Sequence, residues 1–116
     1  MRALVVDDVM VNRRLAALML RNAGWDTEEA ASGEQALGLL GSQHFDAVLL
    51  DIAMPGMSGH DVCERICGDE RLDRTRIIAY SAHIRPEDTD YLRSVGYDAV
   101  LPKPIDRAAL IAALAG

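Results

Sequence analysis

Asp7, Asp8, Asp51, Ser81 and Lys103 are the residues whose types and placement can do chemistry together. Asp7-Asp8 follows the apolar run 3–6, Asp51 follows 47–50, Ser81 follows 77–80, and Lys103 stands just past 99–101. Runs that short, apolar on both faces and stopped by turn residues, read as strands buried in a parallel sheet. Parallel strands release their C-terminal ends along one edge, which is where ligands and chemistry are found in open α/β sheets. Three carboxylates gathered there without enough positive charge repel one another and ask for a cation. Hard oxygen donors on a partly open rim suit Mg²⁺, which keeps several waters and completes its shell with phosphate oxygens. Lys103 is the only lysine among 12 Lys and Arg residues. A compact ammonium is a point charge for a phosphoryl oxygen, where a guanidinium would be a planar fork.

One reaction uses all of these parts. Asp51 attacks phosphorus as a carboxylate nucleophile, while Mg²⁺ held by Asp8, with Asp7 helping directly or through water, neutralises oxygens of the transferred group and Lys103 binds another. An aspartyl phosphate results. The Ser81 hydroxyl can then turn toward the new phosphate and select between two arrangements of residues 82–95. The plainer reading of a lone aspartate after a strand is a turn residue; four matching strand ends argue against it.

The elements that must position these groups follow from the pattern. The segment 45–59 carries the central strand and then a turn with Pro55, Gly56 and Gly59. Residues 25–31 are too acidic for a central strand and read as an edge. Between strands the apolar period becomes helical: Val11, Leu15, Leu18 and Met19 form one stripe, with Gly24 as the stop. Ser32 with Gln35 fits a capping box before Ala36, Leu37 and Leu40, with Gly41 as the end. Ser58 caps a helix containing Val62, Cys63 and Ile66, which closes near Gly68. Pro86 opens a weak fourth helix whose core residues are Tyr91, Leu92 and Val95, with Glu87 and Asp88 near its positive end. A last helix opens at Asp106 and runs through 108–115 without a polar side chain, so part of its surface is a candidate contact with a partner or a second copy. Five strands alternating with five helices specify an α/β fold of three layers, a parallel sheet covered on both faces.

The 116 residues are enough for one domain, 1–116, with a core that needs neither disulfide nor structural metal. A net charge of −6, with dispersed arginines, argues against a nucleic-acid surface. Charged residues interrupt the first twenty positions, so they hold neither a signal peptide nor a membrane helix, and a cytoplasmic protein is expected. Cys63 and Cys67 are expected to be packing residues. His44 and His60 read as surface or cap residues, and His83 as close enough to the rim to tune its chemistry.

Val5-Val6-Asp7-Asp8, the stretch from Leu50-Asp51 through Met54-Pro55-Gly56 to Gly59, Ser81-Ala82, and Gly96 through Lys103-Pro104 together resemble a response-regulator receiver domain of two-component signalling, over essentially the whole chain. The resemblance implies the flavodoxin-like strand order 2-1-3-4-5, Asp51 as phosphoacceptor, and metal ligation by Asp7, Asp8, Asp51 and the backbone carbonyl of Ala53. It also implies a cis Lys103-Pro104 bond, and a histidine kinase or histidine phosphotransfer protein as donor. Receivers acting alone and receivers of hybrid kinases both fit, the latter through Val11-Asn12-Arg13. A downstream protein target is implied, and the switch is a signalling device rather than an enzyme with turnover.

Two positions depart from the family pattern. Val100 stands where receivers carry a Tyr or Phe that rotates inward for output, and Tyr97, three residues earlier, is expected to point elsewhere. Ala53, two residues after Asp51, is a position that influences hydrolytic water. Two other functions compete. A Mg²⁺-dependent aspartyl-phosphate phosphatase would carry an acid at position 53, and a pseudo-receiver would bind partners without phosphorylation.

Overall fold

The computed structural model describes residues 1–82 and 85–115. Five strands, β1 (Arg2–Val6), β2 (Asp26–Ala30), β3 (Ala47–Asp51), β4 (Arg76–Ser81) and β5 (Ala99–Pro102), form one parallel sheet in the order β2-β1-β3-β4-β5. Helices α1 (Met10–Asn22), α2 (Gly33–Ser42), α3 (Gly59–Cys67), α4 (Thr89–Val95) and α5 (Arg107–Leu114) make the connections. The acidic strand β2 lies at an edge, as its composition requires. His83 lies outside the described residues.

Alternation along the strands divides the core into two layers. Leu4, Val6, Val48, Leu50, Ile77 and Ala79 face Ala36, Leu40, Val62, Cys63, Ile66 and Leu92 on one side. Ala3, Val5, Leu49, Ile78, Tyr80 and Leu101 face Ala16, Ala17, Leu20 and Leu110 on the other. No helix among the described residues is long and apolar enough to cross a membrane.

The helices depart from their expected faces in instructive ways. Val11, Leu15 and Leu18 are exposed, and the buried side of α1 is Ala16, Ala17 and Leu20. Small residues bring α1 close to the sheet, so Val11, Leu15 and Leu18 of the expected stripe turn outward while Met19 is half-buried against the core. Gly41 lies inside α2, which continues to Ser42. Ser32 Oγ accepts from the Gln35 N–H, but Gln35 Oε1 accepts from the Ala31 N–H, one residue before the usual capping-box partner. Residues Pro86–Asp88 form a separate 3₁₀ turn ahead of α4, and Tyr91 is exposed, leaving Leu92 as the buried residue of α4. Ser58 and Asp61 form a full capping box on α3, and Asp106 caps α5 through the Ala109 N–H.

Gly59 joins this packing to the end of β3. A Cβ there would stand 2.5 Å from both the Asp51 carbonyl oxygen and Ile52 Cα, so only glycine lets α3 begin against the strand end. Gly59→Ala should therefore destabilise the protein by about 2–3 kcal/mol in urea unfolding, as overpacking against backbone does. Gly38→Ala, inside α2 with nothing within 4 Å of the new methyl, should stabilise it by roughly 0.5–1 kcal/mol. Equal effects of the two substitutions would remove the case for a steric constraint beneath Asp51.

Candidate functional site

Alternation along the strands builds the site. Asp7 continues the face of Val5, Asp51 that of Leu49, and Lys103 that of Leu101, so all three project from one face of the sheet at its C-terminal end. One carboxylate oxygen from each of Asp7, Asp8 and Asp51 lies within 4.8 Å of the others. Asp7 and Asp51 are buried and Asp8 is exposed, which leaves the cluster open on one side. These are hard oxygen donors at a spacing one cation can bridge, and they fit a divalent metal ion.

Lys103 stands between the two buried acids. Its Nζ donates to Asp7 Oδ2 at 2.9 Å and to Asp51 Oδ2 at 3.3 Å. The other oxygens are held by backbone at the strand ends, the Val9 N–H donating to Asp7 Oδ1 at 2.9 Å and the Ala53 N–H to Asp51 Oδ1 at 3.0 Å. The Lys103–Pro104 bond is cis, as the resemblance implies. Ser81 is buried at the end of β4, paired in register with Pro102, and its carbonyl accepts from the Lys103 N–H at 3.1 Å.

The two buried carboxyls are pushed in opposite directions. Burial pushes Asp7 up, but the Val9 N–H, the Lys103 ammonium and the Tyr80 hydroxyl outweigh it and hold the carboxyl below its ordinary range. For Asp51 burial is also the largest effect, and repulsion from Asp7 adds to it. The Ala53 N–H and Lys103 offset only part, so Asp51 lies above the ordinary range.

Two residues enter the site that the reading of strand ends passed over. The Tyr80 hydroxyl donates to Asp7 Oδ2 at 2.7 Å, entirely within the core. Its signal is a lone phenol closing the aliphatic run 77–79, since a buried hydroxyl needs a partner. Arg13 donates from Nη1 to the Asp7 carbonyl at 3.0 Å and from Nε to Glu29 at 3.0 Å, tying α1 and β2 to the acidic strand end.

Val100 is half-buried against the core layer of α3 and α4. Tyr97 points into that same layer. It is buried, with its hydroxyl 3.2 Å from His60 Nδ1, and the His60 ring meets Tyr97 and Tyr91 edge-on. His60 is thus a joint between α3 and α4 as well as a residue of the first turn, whereas His44 is a surface residue paired with Asp46. Cys63 is buried and its thiol is pushed up to about 12, chiefly by burial; Cys67 is exposed, and both cysteines are free thiols.

The family model for the response regulator receiver domain matches residues 3–115, and the chain belongs to that family. Receivers are the phosphoacceptor switches of two-component and phosphorelay signalling. Chemotaxis protein CheY-3 of Vibrio cholerae is 34% identical over 111 residues, 95% of this chain and 85% of that protein. Sensor histidine kinase RcsC of Escherichia coli is 37% identical over 106 residues, 90% of this chain and 11% of the kinase. Among solved structures, the receiver domain of sensor histidine kinase PA1611 from Pseudomonas aeruginosa has a TM-score of 0.86 at 32% identity, over 97% of this chain and 93% of that one. Its active-site cleft holds a magnesium ion.

The opposite shifts of Asp7 and Asp51 give opposite signs in stability. A carboxyl raised above its ordinary value of 3.8 binds its proton more tightly when folded, so its contribution to stability falls as pH rises through that raised value. Asp51→Asn should therefore raise stability at pH 7 by on the order of 1 kcal/mol in metal-free buffer, with the gain vanishing below the ordinary value, where Asp51 is protonated in both states. Asp7 contributes stability above its ordinary value and loses it as pH falls through its lowered one. Asp7→Asn should accordingly lower stability at pH 7 by a similar amount. Thermal unfolding at pH 7 and pH 3.5 measures both; shifts of the same sign at pH 7 would contradict this electrostatic account.

Proposed function

We propose that residues 1–116 act as a phosphorylation switch in which Asp51 receives a phosphoryl group from a phosphohistidine donor. The reading is carried by a single observation, the placement of the Lys103 ammonium within hydrogen-bond reach of Asp51 beside an acidic cluster that suits a cation. An Asp51 oxygen forms the new bond to phosphorus as the bond from phosphorus to the histidine nitrogen breaks. The electron pair of that bond leaves with the imidazole. Asp8, Asp7, Asp51 and the Ala53 carbonyl would hold Mg²⁺, whose charge neutralises phosphoryl oxygens during transfer.

Lys103 supplies the remaining positive charge by moving from Asp7 Oδ2 toward a phosphoryl oxygen. Its short contact with Asp7 keeps it in the site until then. Ser81, buried at the neighbouring strand end, provides the hydroxyl that meets the new phosphate, and residues 82–95 carry the change onward. The alanine at position 53 places an exposed methyl where a phosphatase would need a general acid, which favours a switch over an enzyme with steady turnover.

The donor is proposed to be a histidine kinase or histidine phosphotransfer protein rather than a small molecule. Val9, Met10, Val11, Leu15 and Leu18 are exposed on the segment directly after Asp8. The exposed arginines Arg14 and Arg21 flank them, and α1 contains no acidic residue in a chain of net charge −6. An acidic-rimmed apolar surface of a protein donor complements that face.

Incubation with acetyl phosphate and Mg²⁺ should add one phosphoryl group by mass spectrometry, and Asp51→Asn should abolish the gain. Lys103→Ala should slow labelling roughly a hundredfold, the scale for losing one donor to a developing charge. A wild-type chain that gains no mass under these conditions would end the proposal.

A further inference from the structure

Tyr80 is a buried polar group that the mechanism so far leaves unused. It sits on β4, paired in register with Asp51 on β3 and Leu101 on β5, and its side chain lies on the face shared by Asp7, Asp51 and Lys103. It therefore occupies the lane between the acids and the lysine. The residue is fully buried, and its hydroxyl reaches Asp7 Oδ2, the same oxygen that Lys103 holds. The Lys103 Nζ also lies 4.6 Å from the centre of the Tyr80 ring. One side chain thus touches the acid through its hydroxyl and the ammonium through its π face.

Packing alone does not account for this choice. Phenylalanine would fill the ring's volume, and leucine or isoleucine would match the rest of β4, without a hydroxyl that must be satisfied in the core. Tyr80 meets that requirement on a functional acid. Asp7 Oδ2 then has two donors and Oδ1 has the Val9 N–H, so the carboxylate has one settled orientation toward Asp8 and Asp51. A small cavity of about 50 Å³ beside Asn12, Leu15, Tyr80 and Lys103 leaves space next to the lysine stem. The Tyr80 ring forms one wall of this space beside the lysine.

We propose that Tyr80 is the positioning residue of this site: its hydroxyl orients Asp7 for the cation, and its ring seats the Lys103 ammonium between Asp7 and Asp51. This inference rests on the phosphoacceptor reading for the role of Lys103, while its hydroxyl half concerns cation binding alone. Tyr80 touches neither the phosphoryl group nor the donor, so it acts through Asp7 and Lys103.

Two substitutions separate the hydroxyl from the ring. Mg²⁺ binding to the full chain is followed by calorimetric titration at pH 7, well below the unfolding temperature of each variant, and labelling by acetyl phosphate is followed at saturating Mg²⁺. Tyr80→Phe should weaken Mg²⁺ roughly tenfold, the scale for losing the partner of a metal-ligating acid. Tyr80→Leu should weaken Mg²⁺ likewise and also slow saturated labelling roughly tenfold, a larger loss of rate than in Tyr80→Phe, because the seat of Lys103 is gone. If both variants merely unfold at lower temperature, with Mg²⁺ affinity and saturated rate at wild-type values, Tyr80 is a packing residue and the inference is overturned. Should Tyr80→Leu fail to fold, the Mg²⁺ titration of Tyr80→Phe decides by itself. A wild-type chain that is not labelled overturns the phosphoacceptor reading; a labelled wild type with an unmoved Tyr80→Phe titration overturns this inference alone.

Discussion

Negative charge confined to one end of a parallel sheet is the condition to which the rest of the molecule answers. One oxygen from each of Asp7, Asp8 and Asp51 lies within 4.8 Å of the others, and Asp7 and Asp51 are buried. Such a cluster is costly unless donors and cations surround it. Lys103 supplies one charge and shares it between two acids, and the Val9 and Ala53 N–H groups and the Tyr80 hydroxyl are further donors. The division is unequal: Asp7 is the better solvated by protein groups and is held ionised, whereas Asp51 is left with a deficit. Positive charge supplied from outside would relieve that deficit, which is why the cluster fits a cation.

The fold serves this condition by alternation. Side chains on β1, β3, β4 and β5 repeat every second residue, so the face that buries Val5, Leu49, Ile78 and Leu101 in the core emerges at the rim as acids, a phenol and a lysine. A strand slipped by one residue would send these groups to the opposite layer, and the burial of both faces makes such a slip costly. Gly59 lets α3 start against the end of β3, and Arg13 ties α1 to the carbonyl of Asp7. Core and site are one construction, in which the packing that stabilises the sheet also sets the spacing of the charges.

The opposite layer holds Val100 and Tyr97. Val100 leaves no ring to turn inward, while Tyr97 already lies inside the layer, joined to His60 on α3. His60 thus ties α3 to the segment just after α4 through Tyr97 and meets α4 itself through Tyr91, and α4 is short, with Leu92 as its buried residue. On the site's other flank, α1 packs through alanines and turns its larger apolar residues outward. The two sides of the sheet thus differ in kind, one closed by an aromatic joint and the other presenting an apolar, arginine-edged surface.

Much of this was legible in the residues themselves. Short apolar runs ending in acids, a serine or a lysine, with one acidic edge segment, alternate with helical periods and so mark out the five strands and the residues at their exits, because strand and helix repeats are local properties of a chain. The edge position of β2 and the caps at Ser58 and Asp106 are equally local. Other features were settled only by tertiary packing. Which face of α1 is buried depends on how near the helix can come to the sheet, and the alanines allow closer approach than the leucines that dominate its pattern. Tyr80 looked like one more apolar residue of β4 until the strand register set its hydroxyl against an acid 73 positions earlier. The unequal fates of Asp7 and Asp51, two similar acids in similar strand endings, depend on how many donors reach each of them, and donors that converge from separate strands have no signature in linear order.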